Sequence, residues 1–347
     1  MTIVYALLAF WLIILIHELG HFLVAKACGM KVHEFSIGMG PRLLKKQGKE
    51  TLYSLKLLPI GGSVQLGEDE DSDDPRAFRN KPVWQRMLVI VAGAIMNLIL
   101  GLIICIITVL VSSKIGTCTI GGFHDSPSSN SFLQANDEII EINGLSIWST
   151  SDISYALSNS IAQEKADGEY ATYDFKVIRN GQVVELPEVT FKTEKSTDGK
   201  DHIYLDFYVN AAEKTIGTVV STAVKTALSF GRIVILSLFD LIRGTYGLNE
   251  ISGPIGVVQM VSTVASIDIR GFLSTVAIIT INLGIFNLLP IPALDGARFV
   301  FLVIEAIRRK PIKPEHEGII HFVGFAALML LMLVVTFNDI VRLVTGG

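Results

Sequence analysis

The stretch Leu12–Lys26 reads LIILIHELGHFLVAK, and how it is read decides the fold. It lies in an apolar run from Ile3 to Ala25, long enough to cross a bilayer as a helix. Within it, His17-Glu18-Leu19-Gly20-His21 matches H-E-x-x-H. On a helix, residues i and i+4 differ by only about 40° in azimuth. His17 and His21 therefore share a face, one turn apart, and can bind one zinc ion through imidazole nitrogen. Glu18 lies near that face, where it can serve as general base to a metal-activated water. The bare motif is short, and solvated surface helices carry it by chance. Inside a membrane-length apolar segment, however, two histidines and a glutamate are costly, and ionisable residues there mark function.

Composition agrees with a membrane setting. Of 347 residues, 50% are hydrophobic and only 18% charged, and the mean hydropathy of +0.51 exceeds that of an average soluble domain. A net charge of -4 argues for no nucleic-acid partner. Cys28, Cys105 and Cys118 are scattered and odd in number, which suggests neither a disulfide framework nor a cysteine zinc site. The first segment lacks a basic n-region and an evident small-residue cleavage site, so it reads as a retained transmembrane helix rather than a signal peptide.

The expected fold is a multi-pass α-helical membrane protein with about four transmembrane helices, a membrane-associated β region and an inserted α+β domain. Residues 1–115 hold the first two crossings and the β loop, 116–210 the inserted domain, 211–270 an amphipathic membrane-surface segment, and 271–347 the last two crossings. Lysines and arginines crowd Lys26–Arg86, which makes this segment cytoplasmic and puts the N-terminus outside. Phe35–Pro41 reads as an irregular turn, and Thr51–Leu58 and Gly61–Gly67 as short strands. Leu52–Leu66 is apolar enough to lie at or in the membrane, where irregular backbone needs a protein partner or a water-filled cavity. A strand there can pair with an extended substrate by edge addition. Glu68–Asp74 is an acidic, solvated loop.

The second helix is expected over Val83–Val111. Its Gly93-Ala94-Ile95-Met96-Asn97 reads first as a close packing face, and second as a place where Asn97 bonds near the metal. In the soluble stretch, Thr117–Phe123, the segment before Asn143-Gly144, Ala171–Arg179, Gln182–Phe191 and Ile203–Val209 are strands, with a helix at Ser151–Ser160. Asn143-Gly144 and Asn180-Gly181 are hairpin turns. Thr215–Gly244, with Lys225, Arg232, Asp240 and Arg243 interspersed, reads as one or two amphipathic helices on the outer membrane surface, against the competing reading of a full crossing. Ser252–Gly256 is a turn. The third crossing runs from Phe272 to Leu289 and breaks at Pro290-Ile291-Pro292. Helix resumes over Asp295–Ile307, Arg308, Arg309, Lys310 and Lys313 mark a cytoplasmic loop, and His321–Val341 is the last crossing.

The break supplies the second half of the site. A membrane helix interrupted by prolines lines a cavity or packs on protein, and such breaks mark binding sites. Catalytic zinc commonly has three protein ligands and an open position. His17 and His21 need a third, and Asp295 offers an oxygen; the competing reading makes Asp295 a helix cap.

At these residues the chain resembles a known family. H-E-L-G-H in the first helix, G-x-x-x-N in the second and N-x-x-P-x-P-x-L-D-G in the third are similar to the site-2 proteases, intramembrane zinc enzymes. Asn136-Asp137-Glu138-Ile139-Ile140-Glu141-Ile142-Asn143-Gly144 looks like the core of a PDZ domain, and one such insertion resembles the bacterial RseP/RasP branch. The resemblance implies zinc on His17, His21 and Asp295, with Glu18 as base. It links Asn282, Asn287, Pro290 and Pro292 to substrate handling, and Gly61, Gly62, Val64 and Leu66 to a β loop that pairs with substrate. Many members continue L-D-G-G; here Ala297 follows Gly296.

The activity expected is hydrolysis of a peptide bond, within or near the bilayer, in single-span membrane proteins such as anti-sigma factors or remnant signal peptides. A membrane transporter or metal-handling protein would use the same histidines and aspartate, but no internal repeat and no second set of polar membrane residues supports it. A catalytically idle PDZ scaffold would not need Glu18.

Overall fold

The protein is described by a computed structural model, which covers residues 2–67, 73–125, 127–158, 170–195, 201–244 and 252–345. Most of the acidic run after Gly67 lies outside the described residues. Two compact units emerge, Met1–Ile104 with Ser252–Val341, and Cys105–Ile251 with Arg342–Gly347.

In the first unit, α1 (Thr2–Ala27) and α2 (Val83–Val111) are long apolar helices. Gly20 lets them touch: a Cβ there would lie 2.6 Å from the Ala92 carbonyl oxygen. Small residues at such contacts let membrane helices approach closely. Between them run β1 (Glu34–Gln47) and β2 (Leu52–Gln65). Phe35–Pro41, expected to be an irregular turn, is instead the first half of β1. Gly38 and Gly40, at φ 85° and 88°, bend the strand without ending it. Each strand folds back, so their pairing makes four lanes. Glu34–Ile37 pairs with Leu52–Leu55 on one side and with Gly62–Gln65 on the other, while Arg42–Gln47 pairs along Leu52–Lys56. Among the described residues no strand pairs with the far side of Gly62–Gln65. Met30, Val32, Leu66, Phe78, Val89 and Leu302 pack into one buried cluster that joins this sheet to the helices.

Helices α5 (Pro254–Ile267), α6 (Ile269–Leu288), α7 (Asp295–Arg308) and α8 (Pro314–Thr345) complete this unit, α4 being described with the second. Ser252–Gly256, expected to be a turn, becomes the start of α5: Gly253 is its N-cap and Pro254 its first residue. Its free amides are met from α8, where buried Asp339 accepts from the Gly253 and Gly256 N–H groups at 3.0 and 2.8 Å. Arg86 donates to both Glu305 oxygens, at 3.1 and 2.5 Å, tying α2 to α7.

The second unit holds β3 (Ile115–Phe123), β4 (Glu138–Ile142), β5 (Leu145–Ser146), α3 (Thr150–Ser158), β6 (Tyr170–Arg179), β7 (Gln182–Lys195), β8 (Asp201–Ile203), β9 (Phe207–Ala212) and α4 (Ile216–Arg243). The sheet order is β8-β7-β6-β4-β3-β9, with β5 on β4. Its core is Ile120, Ile139, Ile142, Tyr173, Phe175, Phe191 and their neighbours. Both Asn-Gly hairpin turns are present, with φ 47° and 80° at Asn143-Gly144 and 52° and 80° at Asn180-Gly181. The single last strand expected over Ile203–Val209 is two, β8 and β9. It is split at Asp206, whose buried carboxylate accepts from the backbone N–H groups of Ser128 and Ser129 at 2.7 and 2.9 Å.

Among the described residues, five helices are long and apolar enough to cross a membrane: Ile3–Ala27, Val83–Val111, Ile216–Arg243, Ile269–Leu288 and Glu315–Arg342. The third of these, α4, differs from the rest. Arg232 donates to Asp152 at 2.6 Å and to the Ser146 carbonyl at 2.5 Å, and lies 4.0 Å over the Trp148 ring. Ser229 bonds Asp152 at 2.7 Å, and Tyr155 bonds Asp240 at 3.1 Å. One face of α4 is thus fixed to polar groups of the α/β module. The other exposes Ile216, Val220, Val224, Leu228, Ile235, Phe239 and Ile242 at helical spacing.

Candidate active site

Residues His17 and His21 stand one turn apart on α1, as their spacing predicts. Their Nε2 atoms are 3.2 Å apart. Asp295, at the start of α7, places Oδ2 3.2 Å from His17 Nε2 and 3.3 Å from His21 Nε2. The three side chains are only 12%, 11% and 20% exposed. Asp295 Oδ2 is buried and, among the described residues, accepts no hydrogen bond. As neutral imidazoles with metal-facing Nε2 atoms, the histidines would add two lone pairs to this carboxylate oxygen. Three buried acceptors facing one another are costly unless a cation joins them. Nitrogen and oxygen ligands around tetrahedral zinc stand about 3.3 Å apart, given bonds of about 2.0–2.2 Å. The observed separations fit that ion.

Each histidine is oriented by a second group. His21 Nδ1 donates to the Val89 carbonyl at 2.8 Å, which leaves Nε2 free for a metal. The Asn97 amide, fully buried on α2, is 3.4 Å by its Nδ2 from His17 Nδ1, while its Oδ1 has no partner. Once His17 gives Nε2 to a metal, Nδ1 carries the proton, and half a turn of the amide presents Oδ1 to accept it. Asn97 therefore does more than pack, contrary to the first reading of that face. The packing reading holds for Gly93, whose missing side chain makes room for both imidazoles. A Cβ there would lie 2.7 Å from His17 Cε1.

The loop between α6 and α7 delivers Asp295. Helix α6 stops at Leu288, and Pro290 and Pro292 prevent its continuation. The Ile291 N–H bonds the Leu289 carbonyl at 2.7 Å, Leu294 bonds Ile291 at 3.1 Å, and Ala293 takes the left-handed φ of 75°. Gly296 lets the chain double back: a Cβ there would fall 2.1 Å from the Leu289 carbonyl oxygen. The N-cap of α7 is Leu294, and Asp295 makes no side-chain cap bond. The cap reading of Asp295 loses its physical basis. As first helical residue, its carboxylate also sits at the positive end of the α7 dipole.

Glu18 lies against the β lanes. A Cβ on Gly62 would be 2.7 Å from Glu18 Cγ and 3.2 Å from the Ser36 carbonyl oxygen. The unpaired lane Gly62–Gln65 therefore runs past the proposed base. Gly61 abuts Met39 at φ 83°. Val64 packs beside the core cluster, and Leu66 is buried inside it, which makes Leu66 a support of the lane rather than a contact surface. Asn287 is buried on α6, whereas Asn282 and Pro290 are exposed. Pro292 rests on α8, where a Cβ on Gly324 would meet its Cβ at 2.2 Å. Sequence reasoning missed Val89, Gly324 and His321, whose Nδ1 accepts from the Ala293 N–H at 3.0 Å. Their partners lie far away in sequence, and no local signal marks them.

Comparison with known proteins gives a consistent result. The family described as Peptidase family M50 matches residues 5–331. A Clostridium acetobutylicum protein is 38% identical over 98% of this chain and 97% of its own length. The Bacillus subtilis protein named "Regulator of sigma-W protease RasP" is 30% identical, with 99% of each chain covered. The Oceanobacillus iheyensis "Zinc metalloprotease RasP" is 29% identical, again over 99% of each.

Proposed function

This chain belongs to peptidase family M50 and is an intramembrane zinc metalloprotease, and we propose that His17, His21 and Asp295 hold its zinc, that Glu18 is its general base, and that its substrates are single-span membrane proteins. The convergence of the three ligand atoms at 3.2–3.3 Å is the observation that carries the assignment. Bound zinc would polarise the scissile carbonyl and make water nucleophilic near neutral pH. Glu18, adjacent to His17 in sequence and pressed against Gly62, takes the water proton and passes it to the leaving amine. The lane Gly62–Gln65 offers its unpaired edge to an unwound substrate segment, and backbone pairing there stretches the scissile bond past Glu18. Asn287, Pro290 and Pro292 shape the wall of the same site, with Asn282 reaching substrate from the exposed face of α6.

The proposed topology has α1, α2, α6 and α8 as crossings. The basic residues Arg308, Arg309, Lys310 and Lys313 lie in the cytoplasm, the N-terminus and the PDZ-like module lie outside, and the metal lies toward the cytoplasmic side. Helix α4 rests on the outer leaflet. Its polar face is bonded to the module at Ser229, Arg232 and Asp240, and its apolar stripe is left for lipid. Anti-sigma factors already trimmed outside, and remnant signal peptides, fit such a site, since each is a short single span.

The test is cleavage by the purified chain in detergent of a panel of single-span substrates, with and without a zinc chelator, beside Asp295→Ala. Cleavage should need the metal, and Asp295→Ala should lower zinc content together with activity. Unchanged metal stoichiometry in that variant would remove Asp295 from the ligand set.

A further inference from the structure

We propose that His321, on α8, is a positioning residue that holds the loop presenting Asp295 to the metal. The inference rests on the zinc-protease reading and adds to it a residue outside the motif-bearing helices. The loop Pro290–Leu294 leaves Asp295 at the end of an irregular segment, and its conformation sets where the carboxylate points. Ala293 in that loop has φ 75°, in the left-handed region where a residue with a Cβ is strained and persists only if its surroundings hold it. One contact that holds it is visible: the Ala293 N–H donates to His321 Nδ1 at 3.0 Å.

A second contact comes from the same face of α8, one turn on. A Cβ on Gly324 would lie 2.2 Å from Pro292 Cβ and 3.0 Å from the Pro292 carbonyl oxygen, so the loop is seated directly on the helix backbone. The imidazole is itself fixed. Its ring meets Phe301 edge-on, with centroids 5.6 Å apart, and Phe301 belongs to α7, the helix that Asp295 begins. Because a backbone N–H can only donate, His321 Nδ1 must accept, and the ring proton sits on Nε2. Among the described residues that Nε2 makes no hydrogen bond, the nearest carboxylate being Glu317 at 3.9 Å, and the residue lines a cavity of about 620 Å³ shared with Phe301, Leu302 and Lys313. Through Ala293, His321 acts on the position of Asp295 without touching the metal.

The experiment uses the full chain in detergent as wild type, His321→Leu, His321→Asn and His321→Ala. Zinc affinity is read by competition with a chromophoric chelator, and kcat and KM on one cleaved single-span substrate. His321→Leu should bind zinc about 10–100-fold more weakly, as when a group supporting a metal ligand is lost. It should lower kcat, with a smaller rise in KM, because the lane Gly62–Gln65 is untouched while Pro290 and Pro292 of the loosened loop border the substrate. In His321→Asn the amide Oδ1 takes the place of Nδ1, and zinc affinity should return to near the wild-type value. The cavity should admit added imidazole, which should restore His321→Ala relative to wild type given the same imidazole. Wild-type zinc affinity and kcat in His321→Leu would overturn the proposal, as would an asparagine variant as weak as the leucine one. If the leucine variant fails to fold, recovery in both the asparagine and imidazole arms supports the proposal and its absence in either overturns it. A wild type that holds no zinc would instead overturn the underlying reading, a separate result.

Discussion

Gly93 faces His21 so closely that a Cβ on it would lie 2.3 Å from His21 Nε2. The close approach of α2 to α1 is thus part of the proposed metal site. Gly93→Ala should push the imidazole off its Val89 bond and lower zinc affinity by about tenfold or more. Chelator competition on the purified variant checks this. Wild-type zinc binding would mean that α2 yields at no cost, and that the site is not built on this contact.

Glu18 is proposed as a base and not as a ligand. Glu18→Gln keeps the side-chain volume against Gly62 and removes the proton acceptor. Cleavage should fall by at least about 10²-fold, the range for a lost general base, with zinc stoichiometry unchanged. Measurable turnover near the wild-type rate would require another proton acceptor.

Much of this site was legible because its signals are local. H-E-x-x-H fixes two groups on one helix face, and the proline break announces Asp295. The Asn-Gly pairs mark both hairpin turns, since only such residues take positive φ cheaply. What was hidden depends on pairing between distant segments. Phe35–Pro41 looked irregular because glycines interrupt its pattern, yet Phe35–Ile37 pairs with a lane on each side and Met39 with Leu58. His321 sits in a plain apolar run, and only the folded chain brings it to Ala293. The span count is ambiguous from sequence for a related reason. Helix α4 is apolar enough to cross, and its polar partners Asp152 and Tyr155 come from the module.

Topology can be read with single-cysteine reporters and an outside-only thiol reagent. A reporter at Gly181 should be labelled, and reporters at Lys46 and Lys310 should be shielded. Native Cys118, on the module proposed to lie outside, should add little background. It is half-buried, and burial pushes its thiol up to about 11. At pH 8 only about one thiol in a thousand is then the reactive thiolate. Labelling at Lys310 from outside would mean that α4 crosses the bilayer.

The α4–module contact carries a stability prediction. Arg232 neutralises Asp152, which is fully buried. Arg232→Ala leaves that carboxylate unpaired and should cost about 3 kcal/mol in this unit, seen as faster proteolysis of the module in the intact protein. Arg232→Ala with Asp152→Asn should recover much of the loss. A single variant as resistant as wild type would mean that α4 is not held by this pair.

The module itself separates two roles, and the structure changes how they must be tested. Deleting only residues 116–210 would strip α4 of the partners of Ser229, Arg232 and Asp240 and expose its polar face, so any loss of activity would be ambiguous. The informative deletion removes residues 116–244 together and joins α2 toward α5 with a flexible linker. If the module blocks bulky ectodomains sterically, this variant should still cut trimmed substrates and should gain cleavage of full-length ones. If it recruits a new chain end by β-augmentation, cleavage of trimmed substrates should fall. We expect the steric outcome. A folded, zinc-loaded deletion variant that still rejects full-length substrates would rule out the filter.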